Sequence, residues 1–252
     1  MASDTASPKD RFLTVYGRKP VLEALADRTL TIDKVLLADN ARAPEILRAA
    51  RERGVAVQRA TPQRVKVLAG NGKQDQGVLA DVVAPRMRPL AAALASPPRT
   101  VLLLDGITTP ANVGMILRTA TAAGVGGIVV PRRGVAGLDP LVVKASAGVA
   151  FTAPVLRCYT AVEAAEALRA AGYPLVGLAA DARATVFSAE LPQRCAFVLG
   201  GETNGVSPEV RAHVSDWVSI PMAGGVESLN VASAAAVLCF ELVRRSEAQQ
   251  RR

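Results

Sequence analysis

The hydrophobic positions of this chain form short continuous runs that alternate with longer periodic segments. The runs VLLLD (101–105) and FVLG (197–200) have almost no polar position, which is typical of strands buried on both faces of a parallel sheet. The periodic segment APEILRAARERG (43–54) has proline in its first turn and glycine after its last, which marks the two ends of a helix. Strands and helices of this kind in alternation predict an α/β protein.

The pattern divides the chain into two blocks. Residues 11–85 alternate strand and helix signals and predict a small α/β sandwich. Proline and alanine then replace the alternation, so residues 86–99 are expected to form a linker. Residues 100–246 have stronger strands and predict a parallel sheet flanked by helices. Of the polar ends, residues 1–10 are expected to be a disordered tail and residues 247–252 a frayed tail.

The composition leads us to expect a cytoplasmic protein. The chain contains no run of about 18 apolar residues that could cross a membrane. Its start, MASDTASPKDR, mixes acidic with basic residues, unlike a secretory signal. Cys158, Cys195 and Cys239 stand singly in apolar surroundings without a CxxC pair. They are therefore expected to be buried thiols in a reducing compartment.

The charge of the chain suggests a nucleic-acid partner. The formal net charge is +8. Residues 1–95 contain 16 Lys and Arg against 10 Asp and Glu, or +6, whereas residues 96–252 contain 14 against 12, or +2. This excess in the first block favours a nucleic-acid-binding front domain over an enzyme that is basic throughout.

A single histidine narrows the possible chemistry. Because His213 is the chain's one histidine, serine–histidine catalysis and multi-histidine metal sites are nearly excluded. His213 itself is expected to lie at a helix end rather than to act as a catalyst. No metal is expected.

Three polar loops follow strands of the second block. They are DGITTPAN (105–112), GGETNGVS (200–207) and MAGGVESLN (222–230). Ligands of open parallel sheets bind beyond the carboxyl ends of the strands, so the three loops are expected to form one site. The second loop lacks the GKS or GKT of a phosphate-binding P-loop, and no GxGxxG follows a strand.

The first loop leads into the helix VGMILRTATAAG, which Asn112 is well placed to cap. That helix is apolar or small except at Arg118, which predicts a buried helix and a buried arginine in need of a partner. Two interpretations stay open. Arg118 could be structural and paired with Glu202 or Glu227, or it could be functional and face a site or a subunit interface.

The third loop combines flexible backbone with polar side chains. Gly224 and Gly225 free the backbone, and Ser228 and Asn230 stand where a helix begins. Capping explains one of these polar residues but not the glycines with Glu227. The small residues of the following helix, VASAAAV, indicate a crowded crossing or a close subunit contact.

In order, NVGMILRTATAAG, FVLGGETNGVS and IPMAGGVESLNVASAAAVLCFE resemble the three motifs of the SpoU (TrmH) family of RNA ribose 2′-O-methyltransferases, of the SPOUT class. VYGRKPVLEAL and GKQDQGVLADVVAP resemble the ribosomal-protein-like RNA-binding domain of its RlmB-like branch. The resemblance implies a homodimer whose sites are completed across the interface, and an S-adenosylmethionine (SAM) pocket made by a trefoil knot.

The resemblance also assigns residues. It implies that Arg118 is the catalytic arginine, supported by the polar side chains Asn112, Glu202, Ser228 and Asn230. The backbone would cradle SAM at Leu199, Gly200, Gly201, Ile220, Met222 and Leu229. Two positions depart from the family pattern: Thr203 stands where glycine is frequent, and Asp75 stands where histidine is frequent.

The expected function is SAM-dependent methylation of a ribose 2′-hydroxyl in structured RNA, foremost a guanosine of 23S rRNA. Three alternatives stay open. The enzyme could act on tRNA, it could be an antibiotic-resistance rRNA methyltransferase, or the chain could be a non-catalytic RNA-binding factor in ribosome assembly.

Overall fold

A computed structural model describes residues 11–69 and 75–250, except for the side chains of the last two. The predicted disordered segment 1–10 lies outside these residues, as do residues 251–252 of the predicted C-terminal tail. The described residues form a four-stranded and an eight-stranded sheet with helices packed on them. The prediction of an α/β protein is therefore confirmed.

The first block forms the four-stranded sheet, whose strand order is β1-β4-β2-β3. β4 is antiparallel to β1 and β2, while β2 and β3 are parallel. Gly54 ends α2 as predicted: its φ is 66°, and its N–H bonds to carbonyls of the last turn. The elements are β1 (Phe12–Tyr16), α1 (Arg18–Ala26), β2 (Ile32–Ala38), α2 (Pro44–Arg53), β3 (Val57–Ala60), α3 (Pro62–Ala69) and β4 (Val78–Val83).

The second block forms the eight-stranded sheet, and every strand pair in it is parallel, as predicted. Its order is β10-β12-β9-β11-β6-β7-β8-β5. The elements are β5 (Arg88–Pro89), α4 (Leu90–Leu94), β6 (Thr100–Asp105), α5 (Pro110–Ala122), β7 (Gly127–Pro131), α6 (Pro140–Ala145), a 3₁₀ turn (Val149–Phe151), β8 (Val155–Cys158), α7 (Ala161–Ala170), β9 (Leu175–Leu178), β10 (Ala184–Thr185), β11 (Cys195–Gly200), α8 (Pro208–Arg211), β12 (Asp216–Ser219) and α9 (Val231–Gln250).

Within the expected linker, residues 86–99, two short elements pack on the second block. β5 pairs with β8 at the edge of the large sheet, and Leu90 and Ala93 of α4 are buried against it. A two-residue strand is too short to produce a hydrophobic period, which is why the sequence pattern did not indicate it.

Apolar cores lie on both faces of the large sheet. One of them continues from α5 and β6 to Leu13 and Val15 of the first block, so the two blocks share a continuous apolar core. In the part of the chain that the structure describes, no helix combines the length and the apolar character that a membrane crossing requires. Helices cover both faces of the large sheet, so the loops that could bind a ligand lie at its carboxyl edge.

The C-terminal helix α9 extends to Gln250, so residues 247–250 of the expected tail continue the helix. Buried Glu241 accepts hydrogen bonds from Arg244 and Arg245 one turn later, with Nε–O distances of 2.7 Å in both pairs. Arg245 also donates to the carbonyls of Val186 and Ala189. These tertiary contacts hold a polar helix end that local propensity alone would leave marginal.

We expect Glu241→Gln to lower the free energy of unfolding by about 2 kcal/mol, because it removes charge-assisted hydrogen bonds. The two bonds from Arg244 foremost, with the one from Arg245, lower the pKa of Glu241 to about 2, from an ordinary value of 4.5. A lowered folded pKa stabilises the protein above pH 4.5, and this contribution is lost as the pH falls towards 2. Denaturant titrations at pH 7 and pH 3 measure it, and an equal effect of the substitution at both pH values would contradict this account.

Candidate active site

The first two loops meet where β6 and β11 end side by side. Asp105 and Gly200 are register partners on these strands. The Asp105 carboxylate, 7% exposed, accepts a 2.7 Å hydrogen bond from the backbone N–H of Ser207 at the end of the second loop. The two loops are therefore fixed to each other at the carboxyl edge of the sheet, as the strand order requires.

The glycines of the second loop are needed because other backbone lies against them. A Cβ on Gly200 would be 2.1 Å from the carbonyl carbon of Gly205, and one on Gly201 would be 2.3 Å from the carbonyl oxygen of Gly106. Gly201 and Gly205 also exchange backbone hydrogen bonds of 3.0 and 2.9 Å. The turn is thus a tight backbone structure into which no side chain fits at these positions.

We expect Gly200→Ala to destabilise the protein by about 3 kcal/mol or more and to reduce ligand binding in the adjoining cavity, because the turn must move away. Gly137→Ala is the matched control, since a Cβ there meets nothing within 4 Å. Thermal unfolding together with calorimetric titration of S-adenosylhomocysteine measures both effects. A Gly200→Ala protein that behaves like the control would show that the turn is not tightly packed.

In the third loop, Asn230 joins all three loops through its side-chain amide. Its Oδ1 caps α9 by accepting from the N–H groups of Ala232 at 2.9 Å and Ser233 at 3.3 Å. Its Nδ2 donates to Asn112 Oδ1 at 3.0 Å and to Glu202 Oε1 at 2.8 Å. One residue therefore accounts for both the predicted cap and the convergence of the loops.

Asn112 does not cap its helix, contrary to expectation. α5 begins at Pro110, with Thr109 at the N-cap, so Asn112 lies inside the first turn. Proline is favoured at the first helical position, and it moves the start two residues ahead of Asn112. The Asn112 side chain is buried, and its carbonyl oxygen accepts the hydrogen bond from Asn230.

Arg118 is exposed, so the prediction of a buried arginine is wrong. Among the described residues it has no hydrogen bond or ion pair, neither with Glu202 nor with Glu227. α5 packs against α6 and α9 with its other faces. It leaves an open face made by Ala111, Met115, Arg118 and Ala122. The prediction failed because it took small and apolar residues on every side of the helix as a sign of complete burial. An apolar helix face can also be exposed on the surface of a single chain.

A cavity of about 410 Å³ opens beside the Asn230 cluster. All six residues predicted to cradle a cofactor line it: Leu199, Gly200, Gly201, Ile220, Met222 and Leu229. Glu202, Ser228 and Asn230 also line it, whereas Asn112 and Arg118 do not. Gly224 and Gly225, with φ of 67° and 74°, let the third loop turn back towards this cavity.

Sequence reasoning missed two parts of the cavity wall. One is residues 178–180 at the end of β9. The segment PLVGLAAD is part of the predicted strand and helix alternation, and its end at the same sheet edge was the signal that could have assigned it to the site. The other is Arg211 with Trp217, where the guanidinium carbon lies 4.3 Å from the ring centroid. The pair joins α8 to β12, and no sequence spacing indicates such a contact.

The other residues that the sequence singled out lie away from the cavity. His213 follows the end of α8, as expected, and its N–H bonds to the Val210 carbonyl. Burial raises the pKa of all three cysteine thiols to about 12. Thr203 is exposed in its turn. Asp75 accepts a 2.7 Å bond from the Gly77 N–H, while Lys73 and Gln74 of the same motif lie outside the described residues.

Comparison with profiles of known protein families identifies the family of this chain. A profile described as RNA 2′-O ribose methyltransferase substrate binding matches residues 14–88, the four-stranded block. With the parallel sheet and its glycine-walled cavity, this defines an RNA methyltransferase. A profile of the SpoU rRNA Methylase family matches residues 99–240, and the chain belongs to that family.

Relatives match both blocks. The 23S rRNA (guanosine-2′-O-)-methyltransferase RlmB of Xanthomonas axonopodis pv. citri is 35% identical over 240 residues, 92% of this chain and 96% of the relative. RlmB of Escherichia coli K12 is 31% identical over 237 residues, with the same coverage. The crystal structure of the SpoU methyltransferase AviRb from Streptomyces viridochromogenes, in complex with AdoMet, superposes with a TM-score of 0.63. It is 29% identical and covers 95% of this chain and 92% of that one.

Proposed function

We propose that the chain transfers a methyl group from SAM to the ribose 2′-hydroxyl of a guanosine in 23S rRNA. The observation that carries the proposal is the Asn230 amide, which joins Asn112 and Glu202 at the rim of the cavity. The named activity of the RlmB relatives, which match this chain over both blocks, supports the choice of substrate.

The cavity fits SAM in size and chemistry. Its volume of about 410 Å³ lies within the range of small-molecule sites. Leu199, Ile220 and Leu229 offer apolar walls for an adenosyl group, and the backbone at Gly200 and Gly201 offers polar atoms unobstructed by side chains. When bound there, SAM would supply an electrophilic methyl group on a sulfonium.

The polar cluster would orient the ribose. The hydrogen bonds of Asn230 fix its amide and the Glu202 carboxylate before any ligand arrives. The Ser228 hydroxyl lines the same cavity. Groups that are held in a reactive geometry before the ligand binds can lower a reaction barrier by on the order of 7–11 kcal/mol in ideal intramolecular cases. These residues would therefore act mainly by positioning.

Arg118 would bind a phosphate of the RNA and stabilise the alkoxide that forms as the 2′-hydroxyl loses its proton to solvent water. A guanidinium holds its proton until the pH exceeds about 12, so service as the general base is unfavourable. Its planar fork of donors suits phosphate and a developing oxyanion.

We further propose that the protein is a homodimer and that Arg118 completes the site of the partner. Two features of a single chain support this. Arg118 is absent from the lining of its own cavity, and the open face of α5 includes Met115, 40% exposed, while the neighbouring α9 includes Phe240, 53% exposed. Apolar surface of this kind is typical of an interface.

The trefoil knot of the family belongs to the same proposal. The chain path supports it: β12 lies beyond β9 towards one edge of the sheet, yet the following α9 packs against α5, which follows the central strand β6. The chain must therefore return across the loops that line the cavity. The basic first block would bind the rRNA, and the cytoplasm is where that substrate would be met.

Incubation with methyl-labelled SAM and separate rRNA and tRNA pools, followed by mapping of the labelled ribose, tests the proposed function. We expect label on a guanosine of 23S rRNA. Label confined to tRNA would replace this substrate with the tRNA alternative. RNA binding without label in any pool would favour the non-catalytic assembly factor and overturn the enzymatic proposal.

A further inference from the structure

We propose that Arg133 and Tyr159 form a platform on which an unpaired base of the RNA substrate stacks beside the active site. This inference rests on the proposed function, because the ligand is the RNA that is to be methylated. It adds a contact surface outside the cavity and outside the polar cluster of Asn112, Glu202 and Asn230.

The pair combines an exposed aromatic ring with a cation. The guanidinium carbon of Arg133 lies 5.0 Å from the centroid of the Tyr159 ring. Tyr159 is 48% exposed, whereas Tyr16 and Tyr173 are 6% and 2% exposed. Unpaired nucleobases stack on aromatic rings and on guanidinium planes, and an adjacent cation attracts the phosphates.

Backbone hydrogen bonds hold the platform in place. The N–H of Arg132 bonds to the Cys158 carbonyl and that of Arg133 to the Tyr159 carbonyl, both at 3.0 Å. These bonds continue the β7–β8 pairing beyond the ends of the strands. Thr160 then begins α7 with a capping box. The pair is therefore anchored on two neighbouring strands, and little order has to be created on binding.

The loop that carries Arg133 is bonded directly to the first loop of the active site. The N–H of Ala136 donates to the Ile107 carbonyl at 2.9 Å. Val135, which lies between Arg133 and Ala136 in the sequence, is 9% exposed and belongs to the core. The platform and the Asn112 loop thus share the carboxyl edge of the sheet. An RNA strand with its ribose at the polar cluster could place a neighbouring base on the platform.

The adjoining surface favours an anionic strand. A groove of about 830 Å³ between the two blocks is lined by four basic residues, Lys34, Arg64, Arg132 and Arg157. Its two acids, Asp81 and Asp139, offset part of this charge, so that four basic against two acidic residues leave the lining with a net charge of +2. Asp81 binds Lys34 at 3.1 Å, and Asp139 caps α6 with its side chain. This charge balance fits a sugar–phosphate backbone that runs from the first block to the platform.

Four variants of the full-length protein test the platform: Tyr159→Ala, Tyr159→Phe, Arg133→Ala and the control Phe187→Ala. Phe187 is a 50% exposed aromatic just after β10, at the opposite edge of the sheet. The probes are a 23S rRNA transcript, titrated at several salt concentrations, and a single-stranded oligonucleotide containing 2-aminopurine, whose fluorescence is quenched by stacking. S-adenosylhomocysteine binding and thermal unfolding serve as checks on folding.

We expect Tyr159→Ala to weaken transcript binding about tenfold and to lose the quenching, while Tyr159→Phe keeps both within about twofold. Arg133→Ala should also reduce the salt slope of binding by about one, which Tyr159→Ala should not do. S-adenosylhomocysteine binding should be unchanged in all four variants.

The platform is refuted if Tyr159→Ala binds RNA like Phe187→Ala, or if Tyr159→Phe is as weak as Tyr159→Ala. Dissociation of dimers by Tyr159→Ala would instead assign the pair to a contact between copies of the chain. These outcomes are separable from failure of the proposed function. If the wild-type protein stacks 2-aminopurine but methylates no RNA, the platform is supported and the proposed enzymatic function is refuted.

Discussion

Arg118→Ala is expected to lower methyl transfer by more than about 10³-fold while SAM binding, RNA binding by the first block and the oligomeric state persist. Among residues 11–69 and 75–250 the side chain has no hydrogen bond or ion pair, so its removal costs the fold little. The loss falls on the reaction, since a preorganised cation facing a developing alkoxide is worth several kcal/mol. Single-turnover methylation, with size-exclusion chromatography of the same sample, measures both effects.

Arg169→Ala, which removes an exposed helical arginine from α7, is the matched control and should leave turnover near normal. Arg118→Lys should recover only part of the activity, because it restores the charge but not the planar fork of donors. Near-normal turnover of Arg118→Ala would refute both the phosphate-binding and the alkoxide-stabilising role.

Asn230→Ala is expected to lower methyl transfer by about 10²–10³-fold, because the hydrogen bonds that order Asn112 and Glu202 disappear together. It also removes the cap of α9, which should cost about 1 kcal/mol of stability and lower the Tm by roughly 2–4 °C. Initial rates and calorimetric scans separate the two effects.

Thr160→Ala removes a cap of the same kind from α7, away from the cavity. Because Thr160 adjoins Tyr159, the comparison is made at saturating RNA, where Thr160→Ala should reproduce the loss of stability without the loss of single-turnover rate. Asn230→Asp keeps the capping oxygen but sets a second carboxylate beside Glu202, so it should remain inactive while α9 stays capped. An active Asn230→Asp enzyme would show that the bonds to Asn112 and Glu202 do not matter.

Mixing the two inactive variants tests whether Arg118 acts on the partner's site. If it does, each mixed dimer of Arg118→Ala and Asn230→Ala has one site with both changes and one with neither. Random exchange of subunits should then restore roughly a quarter of the wild-type activity. If Arg118 acts within its own chain, every site keeps one defect and the mixture stays inactive.

Most of the residues that line the cavity could be predicted from the sequence. Parallel strands end at a common edge, so the strand pattern predicted that the loops after Asp105, Gly200 and Ser219 lie at one edge of the sheet, and the strand order then brings them together. The cradle residues at 199–201, 220, 222 and 229 came from resemblance to a family, and the structure places all six on the cavity wall. Their roles towards a cofactor remain predictions.

The strand and helix order, the parallel sheet, the capped start of α9 and the three converging loops were determined by the sequence itself, because they depend on local periodicity and on the direction of the strands. Only the tertiary structure decided the exposure of Arg118, the burial of Asn112 at the Asn230 amide, the place of β5 in the large sheet and the length of α9. Each of these depends on which distant segment covers a given face. A one-dimensional pattern records how apolar a face is, but it does not record what lies against it.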